Sequence, residues 1–151
     1  MSGKRKWLSC FMPHRLELLI SPAWRAAPRP LRNVLERLEI EHLRHGGFNN
    51  GELYVSYLQF VEFGVSKRSI KPTLELGQKL GLLEVIQEAE NHLNDIRAAN
   101  AYRLTYVPAK GKSGPTDEWK AITEARAQVL LEAYRTEDKA AASATKKKRA
   151  A

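Results

Sequence analysis

The sequence predicts a mainly α-helical fold with a small antiparallel β element and a C-terminal helix. Three observations lead there. Helical apolar spacing recurs between positions 30 and 80, a β-prone run stands at 102–107, and a second helical pattern follows the Gly- and Lys-containing stretch at 108–115. The chain has 151 residues, 43% hydrophobic and 28% charged, enough to bury one core without disulfides or a structural metal. Its one cysteine, Cys10, excludes an internal disulfide framework and fits a reducing compartment.

Residues 1–14 show no sustained periodicity and read as a basic, flexible arm. An apolar cluster at Arg15–Ile20 ends at Ser21-Pro22, where Ser suits a helix N-cap and Pro its first position, with Trp24 as the anchor of that turn. From Pro30 to about Arg44, Leu31, Val34, Leu35, Leu38 and Leu43 hold helical spacing, with Ile40 beside them. Glu36, Arg37, Glu39, Glu41 and Arg44 fall largely on the other side, and Gly46-Gly47 ends the helix. Asn50-Gly51 is a turn dipeptide, Leu53–Val55 a short β-prone run, and Ser56 a cap for a helix from Tyr57 to about Phe63. After Gly64-Val65, Ser66 is a second N-cap candidate. The helix from Lys67 to about Leu80 turns Ile70, Leu74 and Leu76 or Gly77 inward. Pro72 makes that helix start late or distorts its first turn.

Residues 82–97 read two ways. Leu82–Ile86 suits a strand, whereas Leu82, Ile86, Ala89, Leu93 and Ile96 make a helical stripe. Tyr102–Val107 reads as a strand, and 108–116 as an exposed linker. Thr116 or Asp117 can cap a helix from Glu118 to about Arg135, its apolar face Trp119, Ile122, Ala125, Val129 or Leu130, and Ala133. Residues 137–151 read as a basic disordered tail. A domain at 15–107, a linker at 108–116, a helix at 117–136 and a basic segment at each end follow.

Lys and Arg number 25 against 17 Asp and Glu, a formal charge of +8, and the excess is uneven. Residues 1–15, 66–82 and 140–151 carry +4, +3 and +4, leaving −3 for the rest. The internal stretch is the informative one, because solvated Lys runs at chain ends are common. Two short helices with a tight turn between them, the second one basic, then strand, turn and strand, are the order of a winged helix-turn-helix. The 66–80 helix would then be the recognition helix. Ser66, Lys67, Arg68, Ser69, Lys71 and Thr73 would meet double-stranded DNA, with Tyr57 in reach of phosphate. Lys4, Arg5, Lys6, Lys146, Lys147, Lys148 and Arg149 would add non-specific phosphate contacts.

A resemblance points the same way. Ser21–Arg25, Val34–His42, His45–Gly47, Asn50–Val55, Leu80–Val85 and Tyr102–Tyr106, followed by Pro115–Trp119, resemble a set of small winged-helix proteins of alphaproteobacteria and their mobile elements. The resemblance covers roughly residues 16–120 and implies a winged-helix fold and DNA binding, as in small regulators or replication-initiator-like domains. It implies no reaction. One departure stands out: Gln87 through Ala101 carries no glycine and holds Glu88, Glu90 and Asp95 against Arg97, a poor minor-groove probe. That segment supports the alternative of a winged-helix module that binds protein and not DNA.

Other chemistry is thinly represented. His42 and His45 lack a third metal ligand, and imidazolium at a helix C-terminus is their simpler account. No phosphate loop or Ser/His/Asp arrangement is legible, and Trp7, Trp24 and Trp119 read as packing anchors. No apolar run approaches the length needed to cross a bilayer, and no secretory signal pattern follows Lys4–Lys6. The expectation is a bacterial, cytoplasmic, nucleoid-associated transcription or replication regulator. It would be no enzyme, would use no metal or cofactor, and would be compatible with a homodimer, since one recognition helix reads few base pairs.

Overall fold

In a computed structural model, which describes residues 10–87 and 96–150, the chain is mainly helical with one three-stranded antiparallel sheet and a long C-terminal helix. Helix α1 spans Leu16–Leu19 and α2 spans Pro22–Ala26. The Ser21 hydroxyl accepts from the Trp24 amide, and Pro22 stands at the first helical position, as the sequence predicts. Helix α3 covers Arg29–Arg44 and buries Leu31, Val34, Leu35 and Leu38. Strand β1 (Leu53–Ser56) runs directly into α4 (Tyr57–Glu62) through a capping box. The Ser56 hydroxyl accepts from the Gln59 amide, and the Gln59 side chain accepts from the Ser56 amide. Helix α5 (Lys67–Lys79), strands β2 (Leu83–Gln87) and β3 (Ala99–Leu104), a 3-10 turn at Glu118–Ala121 and helix α6 (Glu124–Ala150) complete the order.

The sheet order is β1-β3-β2, with Leu53 opposite Tyr102 and Leu83 opposite Leu104. Of the two readings of 82–97, the described part, Leu83–Gln87, is strand. Residues 88–95, with Glu88, Glu90 and Asp95, lie outside the described residues, as do Lys4, Arg5, Lys6 and Trp7. The third strand lies three residues earlier than the sequence predicts, at 99–104 and not 102–107. Buried Asn50 supplies the physical reason. Its Nδ2 donates to the carbonyls of Leu104 (2.8 Å) and Val107 (3.0 Å), and its Oδ1 accepts from the Leu104 amide (2.7 Å). Thr105 donates its hydroxyl to the Gly81 carbonyl (2.6 Å), so side chains hold 105–107 where ladder bonds would otherwise run.

Two further expectations give way at the C-terminal end. The last helix starts at Glu124, capped by Thr123, whose hydroxyl accepts from the Arg126 amide (3.1 Å). It also continues through the segment that reads as a disordered tail, to Ala150. The later start rotates the buried face. Ala127, Leu130, Leu131 and Tyr134 point inward, while Val129 is 58% exposed and Ala125 and Ala133 face solvent. Trp24 and Trp119 are both buried in one hydrophobic core shared by α2–α6 and the sheet. Among the described residues no helix is long and apolar enough to cross a membrane.

Candidate nucleic-acid interface

The turn between α4 and α5 is short because Gly64 takes φ +107°, in the left-handed region, while Val65 buries its side chain and returns its amide to the Phe60 carbonyl (3.0 Å). Helix α5 then lies on the core through Ile70, Leu74 and Gly77. A Cβ on Gly77 would stand 2.7 Å from a Leu83 methyl and 3.0 Å from one of Leu31, so the absence of a side chain is what lets α5 approach the sheet and α3. Pro72 is accommodated without delaying the helix, which is continuous from Lys67. What Pro72 lacks is the amide that would bond the Arg68 carbonyl.

Ser66, Lys67, Arg68 and Lys71 are exposed, and the first turn of α5 contains no acidic residue. Ser66 occupies the N-cap position, but its hydroxyl makes no cap bond. The leading end of α5 thus combines unpaired amides, a positive helix-dipole end and three cations, an arrangement suited to phosphate. Beyond it Glu75 is half-buried, and the Gln78 side chain accepts from the Val85 amide (3.2 Å).

Ser69 and Thr73 do not belong to that exposed face. Both are buried, Ser69 donating to Asp138 (3.2 Å) and Thr73 sharing a hydrogen bond with the Tyr134 hydroxyl (3.1 Å). The physical cause is α6, which covers one flank of α5. The two pairings run in opposite sequence directions, so the helices are antiparallel. Pro72, Leu76, Leu130 and Tyr134 line a cleft of about 30 Å³ between them. Tyr57 is half-buried against the core at the first position of α4. Lys146, Lys147, Lys148 and Arg149 are exposed in the last turn of α6.

A second polar cluster, on α3, is one that sequence spacing misplaces. Arg37, Glu39 and His42 are buried, not solvent-facing, and the segment before α1 and the segment after β3 cross the flank that carries Glu39 and His42. Met12 packs against the core, and the His14 ring lies 2.5 Å from Glu39 and edge-on to Trp24 and Tyr106. The Glu39 hydrogen bond holds His14 above the ordinary histidine value of 6.5 despite partial burial. Burial lowers His42 below 6.5, and its Nδ1 has no partner among the described residues. The expectation of a stabilised imidazolium at the end of α3 is therefore corrected for His42: desolvation outweighs the attraction of the Glu39 charge. His45 is half exposed, 3.9 Å from Glu41. No group of three His, Cys, Asp or Glu able to hold a metal ion forms among the described residues. The signal that could have found this cluster is weak: His42 continues the apolar stripe of Leu31, Leu35 and Leu38, with Glu39 beside it.

Comparison with protein-family models, curated proteins and solved structures was made for the whole chain. No match was found.

Proposed function

We propose that this chain is a winged helix-turn-helix protein that binds double-stranded DNA through the leading end of α5 and regulates transcription or replication in a bacterial cytoplasm, associated with the nucleoid. The observation that carries the reading is the exposed, acid-free first turn of α5, with Lys67, Arg68 and Lys71 set on a short turn from α4. The element order α3-β1-α4-α5-β2-β3 and the β1-β3-β2 sheet support the winged-helix assignment. The suspected kinship with small alphaproteobacterial winged-helix proteins agrees with this order. In this reading Arg68 and Lys71 reach the groove and its walls, and Lys67 and Ser66 meet phosphate. Ser69 and Thr73 hold α6 instead of meeting DNA. No catalysis, metal or cofactor enters the proposal, and a homodimer would supply a second half-site.

The test is a duplex titration by fluorescence anisotropy at several salt concentrations. Arg68→Ala with Lys71→Ala is expected to weaken binding at least tenfold, and Lys67→Ala to lower the salt slope by about 1, one unit for each phosphate-neutralising cation. Undiminished binding of the double variant to every duplex would sink the reading.

A second reading has its own observation. Helix α6 occupies a flank of α5, and two helices side by side exceed a major groove about 12 Å wide. On that ground α5 would dock on protein, and a partner recovered equally well by the Arg68 and Lys71 variant would favour it.

A further inference from the structure

The C-terminal half of α6 does more than extend a basic tail. The helix is 27 residues long, about 40 Å. Tyr134 meets Thr73, and Asp138 meets Ser69 in the first turn of α5. Since the two helices are antiparallel, everything after Asp138 projects past the leading end of α5. Residues 139–150 contain five cations and no acid. They are also rich in alanine, the best helix former, so the segment stays helical where little packs against it. Its cationic last turn complements the helix dipole.

The direction of the cations follows from helical phase. Asp138, Ala141, Ala142 and Thr145 are the partly covered positions and continue the stripe that faces α5. At about 100° per residue Arg149 falls near that stripe, Lys146 and Lys148 flank it, and Lys147 points away. Three of the four cations therefore face the space ahead of the α5 N-terminus, about 12–17 Å beyond the Asp138 contact at 1.5 Å per residue. A duplex turn is about 34 Å, so that distance is somewhat under half a turn.

We propose that the C-terminal half of α6 is a rigid strut that seats Lys146, Lys148 and Arg149 on duplex phosphates flanking the α5 site, a little under half a turn away. The proposal rests on the DNA-binding reading. It differs from a free basic tail because the helix, latched to α5 through Ser69 and Thr73, fixes where the cations land. One consequence separates strut from tail: the contact needs an unbroken helix.

The experiment uses the full chain with a mixed-sequence duplex of 24 base pairs, titrated at several salt concentrations. Three variants are compared: Lys146→Ala, Lys147→Ala, Lys148→Ala and Arg149→Ala combined; Ala142→Pro; and Gly at Ala140, Ala141 and Ala142 together. The last two keep every charge, and the glycine variant guards against a proline-specific folding defect. The charge variant is expected to lower the salt slope by about 2–3. Both helix-breaking variants are expected to lose most of the same amount. Helix breaks that leave affinity and slope intact would overturn the strut and leave a free tail. An unchanged slope in the charge variant would overturn the contact altogether. Failure of the underlying reading looks different: the Arg68 and Lys71 variant binds as the parent does, or the parent binds no duplex.

Discussion

At the scale of single residues, the groups that matter most are the ones with partners far away in sequence. Asn50 is read from sequence only as half of a turn dipeptide, yet it is wholly buried and ties the start of β1 to the end of β3. Asn50→Ala should cost about 2–4 kcal/mol, since it strands the Leu104 amide and the Leu104 and Val107 carbonyls. Denaturant unfolding would show this as a lower midpoint with an unchanged m-value. His14 and His42 should titrate on opposite sides of 6.5 in an NMR experiment, His14 above through Glu39 and His42 below through burial. The signs differ for stability as well. The His14 contribution is full below 6.5 and fades as pH rises through its raised value. The His42 contribution is full above 6.5 and fades as pH falls through its lowered value. Glu39→Gln should bring His14 back down and remove the first of these two dependences; a His14 shift unaffected by the substitution would refute the assignment.

At the scale of elements, the best-read pieces are those with local signals. The Ser21-Pro22 start of α2, the apolar stripe of α3 and the Ser56 cap of α4 all depend on residues within one or two turns of one another. The misread pieces depend on distant partners. The register of β3 is set by Asn50, and the burial of Ser69 and Thr73 is set by α6, about 60 residues or more further along. The leading cations of α5 were legible because they have no such partner to obey. The start of α6 was legible in principle from Thr123, but the earlier Thr116 and Asp117 offer the same cap chemistry. Between them and the helix, Asp117 adopts a left-handed conformation beneath Arg15 and the Trp119 indole. Tyr134→Phe tests the α5–α6 contact: it should cost about 1 kcal/mol and speed amide exchange in α6 beyond Tyr134. Exchange unchanged from the parent would mean that the Thr73 bond does not hold the helix.

At the scale of the whole molecule, the boundary drawn at 108–116 does not divide two units. Trp119, Ala127, Leu130, Leu131 and Tyr134 belong to the same core as Leu31, Phe60 and Leu104. A chain ending at Thr116 should therefore lose its cooperative thermal transition and bind a dye specific for exposed apolar surface, whereas one ending at Thr136 should keep the Thr73–Tyr134 bond and the buried face of α6 and melt cooperatively. A cooperative melt from the shorter chain would show that the helical core closes without α6. The same arrangement has a consequence in time. Helix α2 leaves the ribosome early, but Ala127 and Leu131, which with Ala26 line the cleft beside it, are about a hundred residues downstream. At about 5–20 residues per second the early part waits some 5–20 s for its cover. During that interval its apolar surface is available to chaperones, and the nascent chain holds α5 with one flank bare. The core closes only when α6 has been synthesised, so a message cut short before α6 yields no folded copy.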